Sequence, residues 1–363
     1  MQNQPRKSAG RALRLTNRLY QLASKGPAPS RVLCTFVPLF IPGTHSGLAK
    51  VAVQCSADPE VSGWLIKHWF SASIPIAIGM VKIATFAKPQ NVSRYFKTTP
   101  NHIMTHQEIL KKVEWKDLKG LSFKEMLIEN NLTIPWFVIS LTLAYFGYYI
   151  LALPFSAFFF LTGLRQVHNG FHNSLGTNKF LTWLSLYINS ILLMVSIHAV
   201  KFNHIRHHKY CLTDEDYEGK SAAMTWYGAI LYGPIHMFLI HKVTLQLGNK
   251  DYKRNVILEL ISIVIFASTI FYFKIDFLIY HIIVMVIGEF LMAFFAVWTV
   301  HHDTHDSPEF ARTQRDGWKN KITFSMFYHL EHHLFPAVPT IKLPELARRI
   351  DKAIPEIEKK QTF

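Results

Sequence analysis

The chain has 363 residues, of which 50% are hydrophobic and only 17% are charged, whereas an average soluble domain has about 25% charged residues. This shortfall and several long apolar runs predict a multi-pass membrane protein and argue against a soluble domain. The net charge of +15 fits basic loops on anionic lipid; no basic stripe interleaved with aromatic residues indicates a nucleic-acid surface. The three cysteines, Cys34, Cys55 and Cys211, form neither a disulfide framework nor a Cys-x-x-Cys metal motif.

Residues 1–80 differ from the rest of the chain. Arginines and lysines recur there among leucines, and no acidic residue precedes Asp58. This composition is typical of an Arg-rich targeting segment, of a disordered basic arm, or of upstream sequence that follows a mis-assigned start codon. The three interpretations stay open. Residues 81–130 are predicted to form an interfacial lead-in, and residues 131–363 the membrane domain that carries the chemistry.

Two hairpins of membrane helices are predicted. The apolar run 134–153 has about 20 residues, enough to cross ~30 Å of hydrocarbon at ~1.5 Å per residue. Pro154 is predicted to end this helix, and the run 155–164 to begin the return helix. The apolar runs 256–273 and 277–300 predict a second hairpin around a short polar turn.

The apolar run 180–200 is also long enough to span a membrane, but its position argues otherwise. His172 lies just before it and His204 just after it. If both histidines bind at one site, both ends of the run must lie on the same side of the membrane. We therefore expect a segment that is re-entrant, flat in the interface, or buried between helices. Residues 209–255 are predicted to be an extramembrane connector with an interfacial piece, and residues 306–363 to lie outside the membrane.

Ten histidines stand in four clusters at the ends of apolar segments. They are His168 and His172, His204 with His207 and His208, His301 and His305, and His329 with His332 and His333. Histidines three or four residues apart share one face of a helix, whereas adjacent ones differ by about 100° in direction. Adjacent histidines are therefore poorly placed to chelate one ion and well placed to bind two. Ten imidazoles also exceed the four- to six-fold coordination of one ion, so the spacing predicts a two-metal site and leaves the metal open among Zn, Cu, Fe and Ni.

Other histidines and acids near these clusters receive lesser roles. His302 is a less favoured substitute for His301, and His198, His236, His241 and His281 are predicted to be structural. The acids Asp303, Asp306 and Glu331 are candidates to orient imidazoles through the ring nitrogen that does not bind metal. Their alternative is a solvated loop charge. No catalytic side chain is predicted beyond the metal ligands.

The fold class predicted from these segments is an all-α integral membrane protein. About four transmembrane helices form two hairpins, with interfacial or re-entrant helices beside them and a cytosolic helical cap that carries the di-metal site. With the N-terminus inside, two hairpins return the chain inside, so all four histidine clusters fall on one side. The basic residues within 242–254 and 312–321 fall there too, as the positive-inside rule requires. We expect a bacterial inner membrane, with the histidines on its cytoplasmic side.

The patterns His168-x-x-x-His172, His204-x-x-His207-His208 and His329-x-x-His332-His333 resemble the three histidine boxes of the integral-membrane fatty acid desaturase and hydroxylase superfamily. The stretch 331–339 resembles the acyl desaturase branch. The resemblance covers about residues 130–350, and His301 and His305 stand where that family places further ligands. Asn169 departs from the pattern, since an Asp commonly follows the first histidine.

The resemblance implies a non-haem di-iron centre that uses O2 and two electrons to abstract hydrogen from an unactivated C–H bond. The leading functional hypothesis is desaturation of a long-chain acyl group, carried as an acyl lipid or an acyl thioester. Carotenoid ketolation or hydroxylation, or alkane or acyl hydroxylation, are alternatives on the same centre. A histidine-site metal transporter is a remote alternative, because it predicts ionisable residues inside the spans, and the only acidic residues there are Glu259 and Glu289.

Electrons are expected to come from a separate protein. The sequence has no His-Pro-Gly-Gly stretch of a fused cytochrome b5 and no cysteine set for an iron–sulfur cluster. A basic cytosolic face would steer an acidic carrier, such as a ferredoxin-like or cytochrome b5-like protein. The expected partners are thus an acyl substrate, membrane lipid and an electron donor.

Overall fold

The structure is a computed structural model that describes residues 35–39, 50–54, 106–304, 310–357 and 359–362. The chain divides into two compact units, residues 1–79 and residues 80–363. The predictions of targeting, of disorder and of a mis-assigned start fall mostly outside the described residues and stay predictions.

The described part of the first unit is one β-hairpin. Strand β1 (Thr35–Leu39) pairs antiparallel with strand β2 (Lys50–Gln54). Thr35 lies opposite Gln54, and Leu39 lies opposite Lys50.

The regular elements described in the second unit are helices, apart from one isolated parallel bridge between Thr313 and Gln361. In chain order the α-helices are α1 (His106–Lys112), α2 (Phe123–Asn131), α3 (Ile134–Tyr145), α4 (Tyr149–Phe171), α5 (Lys179–Leu193), α6 (Ile197–Tyr210), α7 (Trp226–Leu247), α8 (Lys250–Phe273), α9 (Asp276–Phe290), α10 (Thr299–His301), α11 (Gly317–Ile322), α12 (His329–Leu334) and α13 (Leu343–Ala353). A π-helical stretch, Ala293–Trp298, joins α9 to α10, and short 3₁₀ turns lie at Lys116–Lys119, Gly219–Ala223 and Thr340–Lys342.

Four helical stretches are long and apolar enough to cross a membrane. They are Phe123–Tyr145, Tyr149–Phe171, Lys250–Phe273 and Asp276–His301. The first combines α2 and α3, and the last runs from α9 through the π-helical stretch to α10. The number of spans agrees with the prediction, and the two pairs are joined by short turns, as hairpins require.

The first hairpin turns earlier than predicted. Helix α3 ends at Tyr145, and α4 begins at Tyr149. Gly147 between them has φ of +80°, a left-handed conformation that glycine adopts without steric cost. Pro154 lies inside α4 and does not break it. Hydropathy missed the turn because its flanking residues are themselves aromatic.

The segment between the first and second histidine clusters is bent. Helices α5 and α6 meet at an angle of 110° after Leu193, and Met194 has φ of +62°. Ser196 then begins α6 by accepting a hydrogen bond from Ala199 N. A bend this sharp occurs in a re-entrant segment and in a broken span alike, so the prediction that this run does not cross the membrane stays a prediction.

Residues 209–255 are more ordered than the connector that was predicted. Helix α7 has 22 residues and buries one face, including His236, Met237, Ile240 and Val243. Hydropathy did not predict this helix, because Pro234, two glycines and two histidines interrupt its apolar pattern. Gly233 permits close packing, since a Cβ there would lie 1.6 Å from the carbonyl oxygen of Phe290.

The lead-in and the C-terminal region form one core outside the candidate spans. Buried Ile109, Val113 and Leu118 pack in the same cluster as Leu334 and Leu346. Helix α1 and the following turn thus close against α12 and α13. This cap holds the third histidine box at the ends of the candidate membrane helices.

Candidate metal centre

Four helix ends deliver the histidines to one place. Helix α4 ends at Phe171 and presents His168 and His172 from its last turn. Helix α6 carries three of the predicted ligands, α10 ends at His301, and α12 carries three more in the cap. All of the predicted ligands that the structure describes come together here; His305 lies outside the described residues.

The first group consists of His168, His172, His204 and His332, whose ligand atoms all lie within 4.8 Å of one another. Nε2 of His172 lies 3.2 Å from Nε2 of His204. The rings of His168 and His332 have centroids 4.0 Å apart. The first group thus joins the first, second and third histidine boxes.

The second group consists of His207, His301, His329 and His333, again with ligand atoms within 4.8 Å of one another. Nε2 of His301 lies 3.0 Å from Nε2 of His207 and 2.8 Å from Nε2 of His329. This group joins the second and third boxes to the end of the last candidate span.

His208 stands beside both groups. Its Nε2 lies 2.9 Å from Nε2 of His332 and 3.1 Å from Nε2 of His204, and its ring centroid lies 4.5 Å from that of His333. The adjacent histidines therefore separate: His207 and His333 belong to the second group, while His208 and His332 face the first. The spacing predicted that adjacent histidines would diverge in this way, and the two ions themselves stay a prediction.

The outer nitrogens show that the converging atoms suit a metal ion. Nδ1 of His204, His207 and His301 each donates to an oxygen, at 3.0, 2.7 and 2.7 Å respectively. With the proton on Nδ1, a neutral ring directs the lone pair of Nε2 inward, toward other Nε2 atoms. Burial opposes protonation of His207, but Cys211 and Asp216 raise its pKa well above the ordinary value, so this ring must release its second proton to bind an ion. Imidazole nitrogens lie about 2.0–2.1 Å from a bound ion such as Zn²⁺, which puts neighbouring ligand nitrogens about 3 Å apart. The observed separations of 2.8–3.2 Å fit this spacing.

The rings of the third box are in the form that binds metal. Burial and the neighbouring imidazoles hold the pKa of His329, His332 and His333 well below the ordinary value for histidine. A neutral imidazole has a free lone pair for a cation. Nε2 of His333 is buried and has no hydrogen-bond partner, as expected of an atom that would bind a metal ion.

Two acids that the sequence analysis missed orient the second box. Asp216 accepts from Nδ1 of His207, and Glu218 accepts from Nδ1 of His204. Burial opposes ionisation of Asp216, but His207 and backbone N–H groups bring its pKa below the ordinary value. Burial raises the pKa of Glu218 to about 7. Their position shortly after the second box was the available signal, but they lie in the stretch 209–255, which was predicted to be an extramembrane connector.

The acids that were predicted to orient imidazoles lie elsewhere, so that expectation is not met where it can be examined. Asp303 is exposed, and its carboxylate lies 3.9 Å from Arg312. Glu331 points away from the rings of its own helix; it accepts from Thr313 Oγ1 at 2.7 Å and forms an ion pair with Arg315. Two positions from His329 and from His333, it falls on the face of α12 opposite those two rings and about 100° away from His332. Asp306 lies outside the described residues.

The remaining histidines named from sequence lie outside both groups. His302 stacks on Trp298 with centroids 3.8 Å apart. His198 pairs with Glu259 at 2.5 Å, and His281 donates to the carbonyl of Leu192 at 2.8 Å. His236 and His241 lie on α7, where His241 donates to the carbonyl of Met237. These placements fit the structural roles predicted for His198, His236, His241 and His281, and His302 does not take the place of His301 in the second group.

A family model described as fatty acid desaturase matches residues 140–362. The matched range contains all ten histidines predicted as ligands. Searches of the curated proteins and of the solved structures return no significant match to this chain.

Proposed function

The chain belongs to the fatty acid desaturase family, and we propose that it introduces a double bond into a long-chain acyl group. Membership implies an oxidoreductase of the desaturase or hydroxylase type. The observation that carries the finer proposal is the pair of histidine groups, each with four converging nitrogens, at the ends of candidate membrane helices. A site there can take a substrate whose tail is dissolved in lipid.

We propose two iron ions as the cofactor. His168, His172, His204, His208 and His332 would hold one ion. His207, His301, His329 and His333 would hold the other, and His305 remains a predicted ligand. With O2 and two electrons, bound iron would supply the strong oxidant that an unactivated C–H bond requires and that side chains cannot provide.

The chain's own residues position the reaction. Asp216, Glu218 and the carbonyl of Phe310 fix the ring orientations of three proposed ligands by accepting from Nδ1, so little reorganisation is needed when metal binds. The apolar candidate membrane helices exclude water and hold the acyl chain at a fixed position relative to the metal site. Such positioning selects which pair of carbons meets the metals.

The remaining proposals concern surroundings. Two hairpins put the four histidine clusters on one side, which we assign to the cytoplasmic side of a bacterial inner membrane. The electrons come from a separate ferredoxin-like or cytochrome b5-like donor. Glu259, inside α8, is not available for metal transport, because its carboxylate is engaged by Ser196 and His198 at the start of α6.

The test is expression in a host of defined lipid composition, followed by gas chromatography of fatty acids with double-bond localisation. The proposal expects a new unsaturated species with the wild type and none with His301→Ala. His302→Ala is the matched control, since its ring lies next in sequence but outside both groups, and it should retain activity. An oxygenated chain or a modified carotenoid without a new double bond would replace desaturation by hydroxylation or ketolation.

A further inference from the structure

A buried carboxylate on the lead-in side of the molecule connects three distant segments. Glu129, on α2, is 1% exposed. It accepts from Nε of Arg165 at 3.0 Å, from Nδ2 of Asn169 at 2.8 Å and from the backbone N–H of Ile341 at 3.0 Å. A second Arg165 nitrogen forms an ion pair with the same carboxylate. A buried charge requires such partners.

The amide of Asn169 is used at both ends. Nδ2 donates to Glu129, while Oδ1 accepts from the backbone N–H and the hydroxyl of Thr340, at 3.0 and 2.8 Å. An aspartate at this position could still accept from Thr340 but could not donate to Glu129. The pair thus requires one carboxylate and one amide.

These contacts join the first histidine box to the third. Arg165 and Asn169 flank His168 on α4, three residues before it and one after it. Arg165 also donates to the carbonyl of Phe324 at 2.6 Å. Phe324 precedes the third box and Thr340 follows it, so the network forms hydrogen bonds to the cap on both sides of α12.

We propose that Glu129, Arg165 and Asn169 are positioning residues that set the distance between His168 and His332 in the first group. The proposal rests on the metal centre proposed above. The separation of these rings depends on how α4 sits against the cap, and the Glu129 network is a buried polar connection between those parts. Its loss therefore loosens the first group more than the second.

The test is a charge swap read by metal binding. Asn169→Asp places a second carboxylate against Glu129, and we expect the affinity of the first group to fall roughly 10–100-fold, as for other residues that support metal ligands. Glu129→Gln combined with Asn169→Asp restores one donor and one carboxylate. The glutamine can then donate to the aspartate, but it offers Arg165 one acceptor fewer than Glu129 does. This double variant should therefore bind metal more tightly than Asn169→Asp and less tightly than the wild type. Metal titration with cobalt, followed by optical absorption, reports each site without any need for turnover.

Glu125→Gln is the matched control. Glu125 lies one turn earlier on α2 and pairs with Lys342 at 2.5 Å, next to the contact of Glu129 in the cap. It caps α2 through Ser122 and touches no residue of the first box. Metal affinity in this variant should equal that of the wild type.

Each outcome decides the proposal. Full metal affinity in Asn169→Asp, or a double variant that binds no better than Asn169→Asp alone, overturns it. If Asn169→Asp fails to fold, a folded and loaded double variant supports the proposal, and an unfolded double variant contradicts it. A wild type that binds no metal refutes the proposed function instead, so the two failures are distinguishable.

Discussion

The two histidine groups differ in how their rings are held. In the second group, Nδ1 of His207 donates to Asp216. Asp216 also accepts from the backbone N–H groups of Leu212 and Gly219, at 2.9 and 2.8 Å. In the first group, Nδ1 of His204 donates to one oxygen of Glu218, and the other oxygen of Glu218 is buried without a hydrogen-bond partner. The pKa of Asp216 is lowered, whereas that of Glu218 is raised to about 7.

The two groups of the candidate centre are therefore held in position in two different ways. In the second group, an ionised carboxylate that the backbone anchors holds the ring of His207, and the carbonyl of Phe310 holds the ring of His301. The first group has a weaker carboxylate at the ring but stands on α4, which the Glu129 network braces against the cap. Variants that separate these two kinds of support should therefore affect the two groups unequally.

Loss of a ligand should have the largest effect. His332→Ala and His333→Ala remove adjacent residues that belong to different groups. Each should abolish desaturation and lower metal affinity at its own group by roughly 100-fold or more, since even supporting residues are worth about 10–100-fold. Cobalt titration of the two variants should show opposite sites missing. Loss of the same optical band in both would contradict the division into two groups.

Asp216→Asn should weaken the second group. The ionised carboxylate stabilises the Nδ1–H form of His207, and the amide removes that charge, so we expect a roughly 10–100-fold loss of affinity. The first group should be nearly unaffected. The measurement is again metal titration of each site, and equal weakening of both groups would show that the rings are coupled more tightly than the hydrogen bonds imply.

Gly233→Ala should act on the second group through the helix that delivers His301. The added Cβ would lie 1.6 Å from the Phe290 carbonyl, and overpacking of this kind costs about 1–3 kcal/mol. Thermal unfolding should show a lower midpoint, with a smaller loss of metal than in Asp216→Asn. Gly317→Ala is the control, because a Cβ there meets nothing within 4 Å; equal destabilisation by both variants would exclude the packing explanation.

Glu218→Gln should have the smallest effect. With a pKa of about 7, this carboxyl is already about half protonated at neutral pH, and glutamine resembles the protonated acid in shape. We expect a loss of affinity at the first group of about threefold or less, measured in the same titration. A loss as large as that of Asp216→Asn would mean that Glu218 is as firmly ionised as Asp216.

The clustering of the proposed ligands was predictable because their geometry is local. His204, His207 and His208 lie on one helix, and their spacing alone assigns directions. The hydropathy of α8 and α9 likewise predicted the second hairpin. The supporting residues were not predictable, because their partners are distant in the chain: Asn169 contacts Glu129, 40 residues away, and Thr340, 171 residues away. No local pattern distinguishes such an amide from any other polar residue at the end of a helix.

The most direct test of the two-group account is the iron content of the purified wild-type protein in detergent, measured by elemental analysis against protein concentration. Two separate groups of histidine nitrogens predict about two iron ions per chain. Saturation at about one ion per chain would contradict the account. It would also be contradicted if His332→Ala and His333→Ala both bound as much iron as the wild type.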